Sequence, residues 1–543
     1  NFYNGVATTS LRLDDGSAAH LHRTPAADSS DAARKKYTFS TWVKRASLGT
    51  TQQILAIGSG AGGAPWFFLY FLTSDQIQAY WYSTTSGNAT NSAPTFAPVL
   101  RDTSAWYNIV LVVDTTDGTA TDRFKLYING VRAAVATAGN ALLQNYIGVI
   151  NSNIKHYIGS NANTEQYLDA YLADTNMIDG TAIGETNGYL DEFGELKNGV
   201  WIPKDTSELT FGANGFRLKY TSTAHDAPAS EGDADTDNIG ADSSGENNHW
   251  TALDSIVASD CAMPDSPENN FAITSQVTFR RFGRGSTSAI SQGNLKHAAS
   301  SGDSCLILSS MRVNEVLSNG SGVYWEVRVD GGTSNNSYAG ILAGQDFNHM
   351  GAETGPNTWP IKVVKDYLRG YFYVNGSGNV DYTSITYGVD DIIGFAIRSD
   401  GGFYMHKNGT YHDNVNGSAQ NPATGANALS TLDLANDFFP FSDGAAAVHY
   451  NFGQDSTFAG AISAGGEADA NGIGDFAYAP PTGFLALCTA NMAEPTIGPN
   501  STSQADDHFD TVLYTGNSSD KTISGLGFQP DWVWAKSRSL AQN

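Results

Sequence analysis

Two stretches, "RFKLYINGVR" (123–132) and "GFYMHKNGTYH" (402–412), place Asn-Gly directly after an alternating, aromatic-rich run. Alternation with period two marks a half-buried strand. Asn-Gly accepts positive φ at both central positions of a two-residue turn, the turn whose twist matches its flanking strands. The chain is therefore expected to close one β-hairpin at Asn129-Gly130 and a second at Asn408-Gly409, each in its own sandwich.

The flanking segments carry the same alternation. In "YTFSTWVKR" (37–45), Tyr37, Phe39, Thr41 and Val43 share one face, and Thr38, Ser40, Trp42 and Lys44 the other. "WYNIVLVVDTT" (106–116) sets Tyr107, Ile109, Leu111 and Val113 on one side, and its partner sets Phe124, Leu126 and Ile128 inward. "QQILAI" (52–57), "WFFLYFL" (66–72), "QIQAYWY" (76–82) and "YLDAYLADTNMIDG" (167–180) read as further strands. A second block begins near 276. In "GVYWEVRVDGG" (322–332), Val323, Trp325, Val327 and Val329 oppose Tyr324, Glu326, Arg328 and Asp330. "SYAGILAG" (337–344), "DIIGFAIRSDGG" (391–402) and "AAAVHYNFGQ" (445–454) continue it. Short strands at such regular spacing predict β-sandwiches.

Composition agrees. Only 16% of the residues are charged while glycines number 57, which suits turns and strands better than surface helices. Over 543 residues the formal net charge is -25, and such a surface repels phosphate backbones, so no nucleic-acid partner is expected. The longest strongly apolar run, "APWFFLYFL" (64–72), is too short for a membrane helix, so no membrane insertion is expected. Cys261, Cys305 and Cys488 are odd in number and far apart, which favours buried thiols over a disulfide framework or a zinc site. Both ends read as cut, as in a piece of a longer protein.

Between the blocks, residues 181–275 are rich in Gly, Asn, Asp and Ser, with aromatic pins at Trp201, Phe211, Phe216 and Trp250. They form either a wrapping connector or return strands of the first sandwich. Within them "DADTDNIGADSSGE" (233–246) spaces Asp233, Asp235 and Asp237 at alternate positions, as a calcium loop does, with Asp242 further on. The sixth and twelfth positions hold Asn238 and Ser244, so the loop is not an EF-hand. A calcium site from these aspartates competes with a solvated acidic loop.

Catalysis finds no constellation. Glycosidases need paired carboxylates across one cleft. "YLDEFGEL" (189–196) lacks the alternating spacing, and Glu326 and Asp330, with Arg328 between them, read as a solvated strand face with an ion pair. No catalytic residue is assigned. Sugar recognition would rest on rings that stack on a pyranose face. Four candidates stand near loops: Trp81 and Tyr82 before "STTSGNATNSAPT" (83–95), Trp359 in "GPNTWPIK" (355–362), and Tyr411 beside the second hairpin. His406 and His449 read as structural.

These segments resemble known families. "YTFSTWVKR", "WYNIVLVVDTT…DRFKLYINGVR" and "YLDAYLADTNMIDG" look like a laminin-G-like, concanavalin-A-type lectin domain. "GVYWEVRVD…YAGILAG…DIIGFAIRSDGGFYMHKNGTY…AVHYNFGQ" resembles a SPRY-type sandwich. The ordered phrases "GVWIPK", "GANGFRLKY", "GADSSGENNHWT", "MPDSPENNF", "FAYAPPTGFLALCTANM" and "YTGNSSDKTISGLGFQPDWVWAKSRS" are similar to large bacteriophage virion proteins of the tail-fibre type. The resemblance implies an all-β chain of tandem concanavalin-A-like jelly-roll sandwiches: a laminin-G-like sandwich over 1–180, an extended connector or strap over 181–275, a SPRY-like sandwich over 276–490, and the start of a further β module over 491–543. Calcium at one rim is common in laminin-G-like domains. The implied role is a non-enzymatic tail fibre or receptor-binding protein on the particle exterior. Its implied partners are host-surface glycans, other virion proteins and further copies of itself, as a trimer. A capsid-decorating or baseplate protein and a glycan depolymerase are the alternatives.

Overall fold

The computed structural model describes residues 3–58, 65–85, 90–161, 163, 165–225, 237–253, 255–277, 280–282, 289–298, 304–331, 338–344, 362–366, 371–374, 377–381, 386–414, 417–443, 447–493, 503 and 505–537. Strands dominate, in four large sheets that pair into two sandwiches. The first sandwich has a seven-stranded sheet centred on Lys36–Arg45, flanked by Ala170–Asp179 and Trp106–Asp114. Its nine-stranded sheet runs through Thr95–Val99, Gln76–Ser83, Trp66–Phe71, Gln52–Ile57, His156–Ile158 and Leu21–Arg23. The predicted inward residues meet between them: Tyr37, Phe39, Val43, Ile109, Leu111, Val113, Phe124 and Leu126 pack against Phe67, Leu69, Phe71, Ile77 and Ile158. Period-two patterning thus builds the core directly.

The second sandwich is closed the same way. Val323, Trp325, Val327, Ile393, Phe395 and Ile397 from one sheet pack against Ala339, Ile341 and Phe438 from the other. The two sandwiches also share strand order. In the first, Ala170–Asp179, Lys36–Arg45, Trp106–Asp114, Phe124–Ile128 and Val131–Arg132 lie side by side. In the second, Ala447–Asn451, Gly322–Gly331, Ile392–Ile397, Gly402–Lys407 and Thr410–Tyr411 occupy the same succession.

Both Asn-Gly turns form as expected. Asn129 and Gly130 have φ of 49° and 74°, and Asn408 and Gly409 have 49° and 82°. Each asparagine fixes its hairpin to the strand before it. Asn129 Oδ1 accepts from the Asn108 amide at 2.8 Å, and Asn408 Oδ1 from the Ile392 amide at 2.8 Å.

The segment 181–275 enters the first sandwich's sheets. Phe216–Leu218 pairs with Ala170–Asp179, and Thr251–Ala252 pairs with Leu21–Arg23. Phe216, Leu218, Trp250 and Ile256 join the sandwich core. Another part of the segment covers the outer face of the seven-stranded sheet, where Leu190, Phe193 and Phe211 pack on Val110, Val112, Tyr127 and Ile178. Trp201 lies on the same face, its Nε1 donating to Asn108 Oδ1 at 3.3 Å. The two halves are joined by buried polar contacts. Arg12 bridges Asp260 (3.0 Å) and Asp455 (3.3 Å). Lys44, on the strand face opposite the core residues, is fully buried and bonds Asp265 at 2.7 Å and the Phe271 carbonyl at 3.2 Å.

Cys261 and Cys488 are buried free thiols, and burial pushes both up to about 12. Among the described residues no helix is long and apolar enough to cross a membrane. The described residues of 503–537 form one short 3₁₀ turn, Ala505–Asp507, and no strand.

Candidate functional site

With the outer face of the seven-stranded sheet covered, the outer face of the nine-stranded sheet is the informative surface. It is built by two neighbouring strands, Trp66–Phe71 and Gln76–Ser83, whose burial alternates residue by residue. Phe67, Leu69, Phe71, Ile77, Ala79 and Trp81 point into the core, and the opposite set is half-buried. That outer set is Trp66, Phe68 and Tyr70 on one strand, and Gln76, Gln78, Tyr80 and Tyr82 on the other. The antiparallel register puts Trp66 opposite Tyr82, Phe68 opposite Tyr80, and Tyr70 opposite Gln78.

Cross-strand neighbours on one face are close enough for rings to meet. Trp66 and Tyr82 stack with centroids 3.9 Å apart and planes 21° from parallel. Phe68 stacks beside Trp66 at 6.1 Å, and Tyr80 stands edge-on to Trp66 at 6.1 Å and to Tyr82 at 6.3 Å. The surface continues sideways through Ala56, opposite Phe68, then Tyr157 and His22. Ala56 itself is fully buried. Polar groups border the rings. Tyr70 donates its hydroxyl proton to Gln78 Oε1, while Gln78 Nε2 donates to Thr95 Oγ1 at 2.8 Å. Burial, with Tyr80 alongside, pushes the Tyr70 hydroxyl up to about 12, so it remains a donor at neutral pH. Asn91 lies opposite Tyr82 on the far side. A cleft of about 460 Å³ opens at the ends of the same strands, lined in part by Pro65, Ser83, Thr85 and Asn145.

The expected sugar-contacting residues separate. Tyr82 belongs to this face. Trp81 does not: neighbouring residues on a strand point to opposite sides. Trp81 is 1% exposed, donates its Nε1 proton to the Tyr37 hydroxyl at 2.8 Å and packs between Phe67 and Phe124. Tyr411 is on the second sandwich with its ring edge-on to His406 at 5.2 Å and its hydroxyl buried. Trp359 lies outside the described residues. Trp66, Phe68, Tyr70 and Tyr80 were missed as site residues because "WFFLYFL" and "QIQAYWY" are aromatic on both faces. Only the position of the core tells the two faces apart.

Of the expected calcium ligands, Asp233 and Asp235 lie outside the described residues. Asp242 is committed to its own loop. Its carboxylate accepts from the amides of Arg217 (2.8 Å), Ser244 (2.9 Å) and Asn248 (2.8 Å) and from the Ser244 hydroxyl (2.8 Å). Among the described residues, Asp237 included, no group of three or more His, Cys, Asp or Glu side chains is arranged to hold a metal ion.

The expectation for Glu326 is corrected. It is not on a solvated face but fully buried. Its oxygens accept from the Tyr324 hydroxyl (2.9 Å), Asn451 Nδ2 (3.1 Å) and the amides of Ala477 (2.9 Å) and Tyr478 (2.8 Å). Burial nonetheless pushes this carboxyl up to about 7, against the pull of those donors. Behind it, His406 Nδ1 accepts from the Gly409 amide at 3.1 Å. That bond leaves the ring proton on Nε2, which donates to the Tyr324 oxygen at 2.7 Å. Desolvation lowers His406 to about 3, so the ring is neutral. The chain Gly409, His406, Tyr324, Glu326 ties the second hairpin to the sandwich. Arg328 and Asp330 do pair, and Asp330 also holds Lys296 at 2.6 Å.

A comparison with curated proteins finds no match. Among solved structures the chain is similar to the SPRY domain of human HERC1, at 14% identity over 34% of this chain and 97% of that one, TM-score 0.24. It is similar to the SAP-like pentraxin of Limulus polyphemus, at 15% identity over 33% and 80%, TM-score 0.24. It is also similar to domains LG4-5 of the mouse laminin alpha1 chain, at 9% identity over 81% and 82%, TM-score 0.25. Residues 504–543 match a domain of unknown function, DUF7483. Residues 15–183 match the family model of the concanavalin A-like lectin/glucanases superfamily, so the first sandwich is a concanavalin A-like lectin-fold domain within an all-β chain.

Proposed function

We propose that this protein binds glycans without cleaving them, and that the outer face of the nine-stranded sheet is the binding platform. The observation that carries the reading is the row of half-buried rings at Trp66, Phe68, Tyr80 and Tyr82 on that face. Stacked aromatic rings offer flat apolar planes to the C–H face of a sugar, while Gln78, Tyr70 and Asn91 offer hydrogen bonds to its hydroxyls. The lectin-fold match over residues 15–183 supports the same assignment. Glu326, the strand carboxylate weighed for catalysis, is fully buried with its oxygens already accepting from protein donors, so it does not face a substrate.

The setting we infer is the exterior of a bacteriophage particle, as a tail-fibre or receptor-binding component that docks on host-surface glycans. It rests on the ordered phrases of the sequence that resemble virion proteins. Location of the chain by cryo-electron microscopy of the particle tests it, and density on the capsid shell would favour a decorating protein instead. The binding proposal is tested on a glycan array with the wild type and the Trp66→Ala/Tyr82→Ala double variant. Signals held by the wild type and lost by a folded double variant support it. Equal signals for both proteins, or shortened oligosaccharides in solution, overturn it.

A further inference from the structure

The outer sheet face holds more information than its rings, and we infer that its ligand is an extended, uncharged glycan chain and not an acidic one. The inference rests on the binding platform proposed above and adds the chemistry of what lies on it.

Its basis is the register. Three cross-strand rows carry the aromatic part of the face. One runs through His22, Tyr157, Ala56, Phe68 and Tyr80. The next joins Trp66, Tyr82 and Asn91. The third joins Gln53, Tyr70, Gln78 and Thr95. None of these positions is Asp, Glu, Lys or Arg, and the charge that borders them, Lys155 two residues before Tyr157, is a single half-buried one. A carboxylate- or sulfate-bearing sugar is normally held by Arg or Lys, through charge-assisted hydrogen bonds that the residues of these rows do not supply. The whole chain, at a formal -25, adds a long-range repulsion against any polyanion. An uncharged sugar meets neither obstacle. Its hydroxyls need amide and hydroxyl partners, and Gln78, Asn91 and the Tyr70 hydroxyl are such groups on this face.

The extent of the face argues for a chain of sugars. Trp66, Phe68 and Tyr70 lie along one strand at every second residue, which spans about 13 Å. That exceeds a single pyranose ring. Successive rings along a strand suit successive sugars of an unbranched segment.

The experiment is affinity electrophoresis of the whole chain through gels containing either neutral polymers (mannan, dextran, β-glucan) or acidic ones (alginate, polygalacturonate, heparin). It is run at low and at high salt, with the wild type and the Trp66→Ala and Tyr82→Ala variants, each checked for a native circular dichroism spectrum. We expect retardation by at least one neutral polymer, insensitive to salt, and weakened roughly tenfold or more in each variant. Retardation by acidic polymers alone, abolished by salt yet dependent on Trp66 and Tyr82, would overturn the uncharged-ligand inference and leave the platform standing. Retardation unaffected by either substitution, or none by any polymer, would overturn the platform itself and the inference with it.

Discussion

Trp66 and Tyr82 lie face to face across neighbouring strands, 3.9 Å between ring centroids, while Trp81, one residue away, is sealed in the core. The pair shows how one strand divides its work between stability and recognition. Replacing Trp81 with Ala removes a buried indole and its hydrogen bond to Tyr37, and should cost about 3–5 kcal/mol. Replacing Tyr82 with Ala removes a partly exposed ring and should cost about 1 kcal/mol. Chemical denaturation of both variants measures the contrast, and equal losses would contradict the assignment of faces.

Two hairpin glycines, Gly130 and Gly199 (the latter between the paired strands Gly194–Lys197 and Val200–Pro203), differ in what surrounds them. A Cβ on Gly130 would stand 2.3 Å from Trp201 Cη2, and its φ is 74°. Gly199 also has positive φ, 83°, but nothing lies within 4 Å of its Cβ position. Gly130→Ala should therefore lose about 2–3 kcal/mol and Gly199→Ala about 1 kcal/mol, with thermal melting as the measurement.

Much of this was legible in the sequence, and the limits have physical causes. Period-two alternation identified core residues from Tyr37 to Val329, and Asn-Gly fixed two turns down to the sign of φ. Alternation does not say which face is covered from outside, since that depends on segments distant in the chain. Glu326 was therefore expected in solvent and, like Lys44, is buried beneath residues far away in sequence. The aromatic platform was hidden for the converse reason: its strands are apolar on both sides, and only the fold leaves one side open.

Arg12 tests whether the halves act as a unit. It is fully buried between Asp260 and Asp455, which come from opposite sides of the junction. Arg12→Ala leaves two buried carboxylates without their counter-charge and should cost about 3–5 kcal/mol. Calorimetry of the wild type should show one cooperative transition, and the variant should split it or lower its midpoint. An unchanged thermogram would show that the junction contributes nothing.

Glu326 gives stability a pH dependence of definite sign. Its folded value, about 7, lies above its ordinary value of 4.5. A raised acid favours the folded state most when protonated in both states, so its contribution is fully present below about 4.5 and is lost as pH rises through 7. The difference amounts to about 3 kcal/mol. Glu326→Gln should flatten that part of the stability profile between these pH values. It should also lower stability throughout, because its amide would face the Ala477 and Tyr478 donors. Urea unfolding of both proteins across this range decides it, and identical slopes would contradict the assignment.

The central claim is that the outer face of the nine-stranded sheet holds the glycan. Hydrogen–deuterium exchange of the whole chain, with and without a saturating neutral oligosaccharide from whichever polymer retards it, tests this most directly. The account predicts slowed exchange in residues 65–85 and in the neighbouring strands Gln52–Ile57 and His156–Ile158, with the second sandwich unchanged. Protection confined to the second sandwich, or to a rim away from Trp66 and Tyr82, would contradict it.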